Sequence, residues 1–402
     1  MSTTITLHGI ARGLDDADGL ARALDELLAR GPALFALGEP THGIAAFPLL
    51  RNEILAHLVE RGFRSIVLEM DVFAARIVDD YVSGGAGDLD TVLAAGFSHG
   101  FGNVPGNREL VAWLRAYNAV HEPADRVRFY GMEAPVEYAG APSPRHAMTE
   151  VTAYLPAPLR PESGSDLDAL LGEESEWSNA AAMYDAAASL GNSARARALR
   201  VIADDLASAL RRAAPFLRPA DPIGYDHALA QARTALGLLR YHAAMATPGP
   251  DRMANLLGVR AEMMADNLFA VLAHERSRGP SLVFAHNVHL LRTQSTMPIA
   301  DDAVNWCAAG AFAALELGDR YLFVATDASP SSDPETLQRL LAEATGRRAL
   351  FPAPALCAAL PASAGTSTPM LPGHIPLRPR DLPGADAVLF LADTDGKRHP
   401  YW

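Results

Sequence analysis

Ala33-Leu34-Phe35-Ala36-Leu37-Gly38-Glu39-Pro40-Thr41-His42-Gly43 is the stretch on which the reading of this chain turns. The apolar run 33–37 reads as a short buried strand, and a helical run carrying Arg51 follows at once. A carboxylate, a hydroxyl and an imidazole are thus packed into four residues at the mouth of a strand-to-helix turn. In open α/β sheets ligands bind there, because the loops at the carboxyl ends of strands surround a crevice. A histidine at that place is a candidate general base, since imidazole titrates near neutrality. Glu39 and His42 share a face if the turn is helix-like. Arg51 lies about two and a half helical turns beyond His42, so the two converge only if His42 sits on the loop before the helix. The alternative is a helix cap by Thr41, with an incidental histidine and a surface arginine.

Further elements follow outward from this turn. Leucines and alanines from Asp18 to Arg30 recur at helical spacing. The helix after the turn is expected over about 45–61, stopped by Gly62. Ser65-Ile66-Val67-Leu68-Glu69 reads as a second strand, and Asp71 as the cap of a helix running to about Val82. Asn107 to His121 is amphipathic, with Leu110, Trp113, Leu114 and Tyr117 on one face. Val127 to Met132 is a third strand ending at Glu133. Alternating strands and helices predict an α/β fold: a mostly parallel central sheet flanked by helices.

Residues 134–165, rich in Pro and Gly, mark a transition. The pattern is then almost wholly helical: Asp166 to Leu190, Ser193 to Leu217, Asp221 to Met245 and Asp251 to Arg278. The expected organisation is an α/β core from 1–150 and 279–402, with a helical insertion over 151–278 forming one side of an active-site cleft. A strand returns at Ser281–Ala285, then a helix over Cys307 to Leu317, a strand at Tyr321–Thr326 and an edge strand at Ala387–Leu391.

Of 402 residues, 49% are hydrophobic, enough for a sizeable core. The 34 basic and 47 acidic side chains give a net charge of −13, which argues against a nucleic-acid binder or an anionic membrane surface as partner. No apolar run approaches the roughly 20 residues of a membrane span. The start, Met1 to Leu7, lacks a basic segment followed by an apolar one, so the chain is expected to be cytoplasmic. Cys307 and Cys357 sit in alanine-rich runs and read as buried small hydrophobes, not a disulfide framework.

Two further constellations carry chemistry. Ala285-His286-Asn287-Val288-His289 follows an apolar strand, so its histidines converge if the chain turns there. They could hold a divalent metal with nearby carboxylates, or act without one as a proton relay or as hydrogen-bond donors to a transition state. Glu69 directly follows Ile-Val-Leu and needs a partner if buried; it reads either as a site residue or as an ordinary cap or ion-pair acid. Gly-x-Ser-x-Gly, a phosphate loop and Gly-x-Gly-x-x-Gly are absent, which disfavours an ordinary serine hydrolase and nucleotide chemistry.

In order along the chain, Gly38-Glu39-x-x-His42-Gly43, Arg51, Gly62-Phe63 leading to Glu69, Glu109 with Trp113-Leu114-Arg115-x-Tyr117-Asn118, Phe129-Tyr130-Gly131 and His286-Asn287-Val288-His289 resemble the erythromycin esterase family and its succinoglycan biosynthesis protein-type homologues. The resemblance implies hydrolysis of a macrolide lactone. His42 would activate water, Glu39 and Glu69 would orient His42 and the water, and Arg51, His286 and His289 would position substrate or stabilise developing charge. Glu109, Glu133 and Asn287 are the candidate substrate-binding residues. Glu133 stands where relatives generally carry aspartate, and Gly100 to Gly106 lacks a tryptophan that relatives often have. Both departures bear on substrate identity.

The function expected is therefore hydrolysis of a macrolide-like lactone or other polyketide ester, with no cofactor and with a divalent metal at His286/His289 left open. The alternatives are a natural-product tailoring enzyme that uses the same base for elimination or cyclisation, and a small-molecule binding protein without turnover.

Overall fold

The structure is a computed structural model that describes residues 7–136, 140–162, 167–299, 302–328, 333–392 and 394–401. The stretch Met1–Thr6 and Asp166, both used in the sequence reading, lie outside these. Ten strands are present among the described residues: β1 Arg12–Gly13, β2 Leu34–Glu39, β3 Ser65–Asp71, β4 Arg128–Glu133, β5 Ser281–His286, β6 Ser295–Ile299, β7 Asp302–Trp306, β8 Tyr321–Ala328, β9 Arg348–Pro352 and β10 Ala387–Leu391. Eight form one sheet in the order β1-β9-β10-β8-β2-β5-β3-β4, and β6 and β7 form a separate hairpin. Strands β10, β8, β2, β5 and β3 are mutually parallel, and β9 and β1 add antiparallel pairs at one side. The protein is thus an α/β fold with a mostly parallel central sheet flanked by helices.

The chain divides into two compact units, residues 1–132 with 268–402, and 133–267. In the first, register and side-chain alternation build a continuous apolar layer. Phe35 pairs with Leu282 and Leu37 with Phe284 across β2 and β5, while Ile66 and Leu68 of β3 meet the same two β5 residues. All six are buried in one cluster with Phe47, Leu50, Ile54 and Leu58 of the helix Ala46–Glu60 and with Leu110, Val111 and Leu114 of the helix Asn107–Ala119. Each such side chain contributes about 1.5–3 kcal/mol by burial. Asp71 is the last residue of β3 and not the N-cap, which is Phe73; its Oδ1 still accepts from Phe73 N at 2.6 Å and Ala74 N at 3.3 Å at the start of the helix Ala74–Val82.

The second unit is dominated by three long helices, Ala194–Ala220, Pro222–Met245 and Arg252–Glu275, the last of which runs on past residue 267. Two expectations fail in this region. The stretch up to Leu190 is no long helix but short pieces, Leu167–Leu171, Glu174–Trp177, Ala180–Met183 and Ala186–Ala188. Gly172 takes φ +63, and the Asn179 and Asp185 side chains accept from Ala181 N and Ala187 N. Such local bonds restart the chain in place of continuing a helix. The Pro- and Gly-rich transition in turn contains the helix Arg145–Tyr154.

Two more corrections concern the first unit. β10 is not an edge strand: it lies between β8 and β9 with all five residues buried, as an unbroken apolar run requires when both faces are covered. Cys307 and Cys357 are exposed free thiols. Cys307 precedes the helix Ala309–Leu317 rather than lying on it, and on the helix Ala353–Ala359 the buried face is Ala353 and Leu356, which turns Cys357 outward. Among the described residues no helix is long and apolar enough to cross a membrane.

Candidate active site

Sheet register brings distant motifs together. β2 and β5 are neighbours, and Glu39 pairs with His286 at their carboxyl ends. β3 flanks β5 on the other side and delivers Glu69 to the same end, where Glu69 Oε2 accepts from His286 N at 2.7 Å. After Glu39 the chain leaves the sheet, and the next helix does not begin until Ala46. His42 therefore sits on the loop, as convergence with Arg51 demands, and Thr41 does not cap the helix.

His42 lies between two carboxylates and is hydrogen-bonded to one of them. Its Nδ1 lies 2.7 Å from Glu39 Oε1, and its Nε2 lies 3.8 Å from Glu69 Oε1. An ionised Glu39 can only accept, so Nδ1 carries the proton and Nε2 the lone pair. Among the described residues, Phe101 at 5.0 Å, His286 at 5.4 Å and Tyr401 at 5.8 Å between centroids pack around the imidazole. Burial raises the pKa of Glu39 above the ordinary carboxylate value, and Glu69 adds to this, while the hydrogen bond and charge of His42 and the charge of Arg51 oppose it.

His286 and His289 do converge, because the chain turns into the short helix Asn287–Leu290 directly after β5. His289 Nε2 stands 3.2 Å from Glu69 Oε1. His286 Nδ1 accepts from Val288 N at 3.2 Å, which leaves the proton on Nε2. Burial drives the His286 pKa well below 6.5, His42 and His289 push the same way, and Glu69 and the Pro40 carbonyl oppose. His286 is thus a neutral N–H donor. Glu39 Oε2, His286 Nε2 and His289 Nδ1 are buried without a hydrogen-bond partner among the described residues. Buried polar atoms of this kind call for water or a ligand.

Arg51 reaches the site because its helix packs on the Leu37–Phe284 face of the sheet, with the guanidinium 5.0 Å above the Phe284 ring. It is 1% exposed. Its donors go to Asn52 Oδ1 at 3.1 and 2.8 Å, Asn107 Oδ1 at 2.9 Å and the Gly106 carbonyl at 3.1 Å. Among the described residues one of the five guanidinium N–H groups has no acceptor. Burial lowers its pKa to about 9, against the pull of Glu39 and Glu109, so it remains cationic at neutral pH.

A cavity of about 30 Å³ lies between these groups, lined by Glu39, His42, Arg51, Glu69 and Asn107 and by the apolar Phe97, Phe101 and Phe284. That is room for a water molecule with several polar partners. The segment Ser98–Asn103, which carries Phe101, passes through left-handed backbone at His99 (φ 56) and Gly100 (φ 67). Phe101, Asn107 and Tyr401 were not singled out in the sequence. Phe101 offered only an aromatic inside a Gly-rich loop, and Asn107 only its place ahead of Glu109.

The three candidate substrate-binding residues have structural partners. Glu109 Oε2 caps its own helix, accepting from Gly106 N at 2.7 Å. Glu133 is fully buried and ion-paired with Arg260 within the second unit. Asn287 clamps β8 to β2: it donates to Thr326 O at 2.7 Å and accepts from Thr326 N at 3.2 Å, and Thr326 Oγ1 donates to Gly38 O at 2.7 Å. A Cβ on Gly38 would lie 2.1 Å from Asn287 Oδ1, which explains the glycine one residue before Glu39. Among the described residues no group of three His, Cys, Asp or Glu side chains is disposed to hold a metal ion.

The family model described as erythromycin esterase matches residues 58–335. The chain belongs to the erythromycin esterase family. Glu69, His286 and His289 fall inside the matched span of this erythromycin esterase family member, and Glu39, His42 and Arg51 precede it. Three solved structures share its fold. A protein from Bacillus cereus is 19% identical, with a TM-score of 0.71 and 96% of each chain covered. A mutant of the erythromycin esterase EreC in its open conformation is 17% identical, with a TM-score of 0.69 and 96% of each chain covered. A succinoglycan biosynthesis protein is 15% identical, with a TM-score of 0.65, covering 97% of this chain and 96% of that one. No curated protein matches the sequence. Family membership supports ester hydrolase activity and implies a small-molecule substrate.

Proposed function

We propose that this erythromycin esterase family member hydrolyses a lactone or other ester of polyketide type, with water activated by His42. The observation that carries the reading is the Glu39–His42–Glu69 arrangement around a water-sized cavity. Glu39 holds the Nδ1 tautomer and stabilises the imidazolium that forms when Nε2 takes a proton. The gap between His42 Nε2 and Glu69 Oε1 suits a water touching both. Such a water attacks the acyl carbon, its proton passes to Nε2, and the alkoxide leaves with a proton returned from the imidazolium. Arg51 and the neutral His286 supply N–H donors for the oxyanion. The reading routes no step through a metal.

The cavity is far smaller than the roughly 300–1,000 Å³ of pockets that engulf a drug-sized ligand. A large substrate would present only its reacting carbonyl to the water held there. The test is a mass-spectrometric screen of macrolactones and related esters, with His42→Asn as control. Product heavier by one water, formed by the native protein and not by the variant, is the expected result. A product of unchanged mass points to cyclisation, and a variant of undiminished rate removes His42 as the base.

A further inference from the structure

The segment Arg398–Tyr401 is far in sequence from every motif discussed so far, yet it is fastened to the two residues after His42. His399 N donates to Gly43 O at 2.7 Å, and Arg398 forms an isolated antiparallel bridge with Ile44. Gly43 has φ +82, and a Cβ there would meet His399 O at 2.7 Å and two Tyr401 ring carbons at 2.9 Å. The glycine of the His42 turn is therefore required both by its backbone and by this packing.

Tyr401 is itself fixed. Its hydroxyl accepts from an Arg398 guanidinium N–H at 2.9 Å, the same guanidinium lies 5.2 Å from its ring centre, and the side chain is 5% exposed. Its ring stands edge-on to His42, with an interplanar angle of 80°, and tilted against Phe101 at 5.4 Å. Phe101 and His286 also pack against the imidazole, with interplanar angles of 49° and 75°. The hydrogen bond to Glu39 fixes the Nδ1 edge of the His42 ring. The surrounding rings pack against its faces and far edge.

We propose that Tyr401 is a positioning residue for His42: its ring, delivered by the Arg398–Tyr401 segment, holds the imidazole so that Nε2 faces Glu69 and shields it from bulk solvent. This rests on the reading of His42 as the working base, so the test uses a readout that does not depend on turnover. Diethyl pyrocarbonate modifies accessible neutral imidazoles, and peptide mass spectrometry reports the rate at each histidine. The exposed His146 serves as the reference and the fully buried His374 as the sentinel for unfolding.

Tyr401→Ala is expected to raise the modification rate of His42 several-fold relative to His146, with His374 unchanged. Tyr401→Phe keeps the ring and is expected to leave the rate near that of the native protein. Should Tyr401→Ala make His374 reactive, Tyr401→Leu takes its place with the same expectation. An unchanged His42 rate in a folded ring-deleted variant overturns the proposal, and so does a Tyr401→Phe rate as high as that of the alanine variant. With a substrate in hand, the ring deletion should lower kcat more than it raises KM. Failure of the base assignment would show instead as turnover by His42→Asn, so the two failures are distinguishable.

Discussion

His286 donates its backbone N–H to Glu69 Oε2 at 2.7 Å, across 217 positions of sequence. That bond locks the carboxylate whose other oxygen faces both His42 and His289. Replacing Glu69 with Gln keeps the shape and the bond to His286 N but removes the charge. Turnover of the ester found by the screen is expected to fall by about 10²–10⁴-fold, the usual contribution of acid–base groups. Steady-state kinetics at a fixed pH would read it, and a rate within twofold of the native protein would contradict the assignment.

Glu39 should cost stability where it is ionised. Its folded pKa is raised by burial above 4.5, so the folded state holds this proton more tightly than the unfolded chain. The associated stability is fully present below pH 4.5 and is lost as pH rises through the folded pKa. Glu39→Gln is therefore expected to raise the thermal midpoint at pH 7 while lowering kcat. Calorimetry at pH 5 and pH 8 should show the gap between variant and native protein widening with pH.

His286 shifts the other way. Its folded pKa lies well below the ordinary 6.5, so between that value and 6.5 the unfolded chain binds the proton and the folded one does not. Stability is then expected to fall as pH drops below 6.5. His286→Gln should flatten this acid limb in a urea-unfolding series run from pH 7.5 to pH 5. Parallel limbs for variant and native protein would refute the shift.

Asn287 acts on the fold. Asn287→Ala removes its two bonds to the Thr326 backbone and is expected to cost about 1–3 kcal/mol in urea unfolding. KM of the folded variant should stay close to native. A rise in KM without loss of stability would restore Asn287 as a substrate contact.

Metal use is separable from all of these. Exhaustive chelation is expected to leave kcat unchanged, because the proposed base is an imidazole oriented by Glu39. Loss of activity restored by one divalent ion would move water activation from His42 to that ion.

The sequence by itself determined the α/β class, the strand-end placement of Glu39, the strand that carries Glu69 (which runs two residues further, to Asp71), and the turn that makes His286 and His289 converge. These follow from local periodicity and from apolar runs that stop at a polar residue, which are short-range physics. Tertiary structure alone decided that β5 inserts between β2 and β3, and hence that Glu39, His286 and Glu69 become neighbours. Strand order depends on which buried faces fit together, and no local pattern encodes it. The same limit hid Tyr401, whose role rests on contacts with a turn at the opposite end of the chain. It also hid the partners of Glu109, Glu133 and Asn287, which are a helix end, Arg260 and the Thr326 backbone.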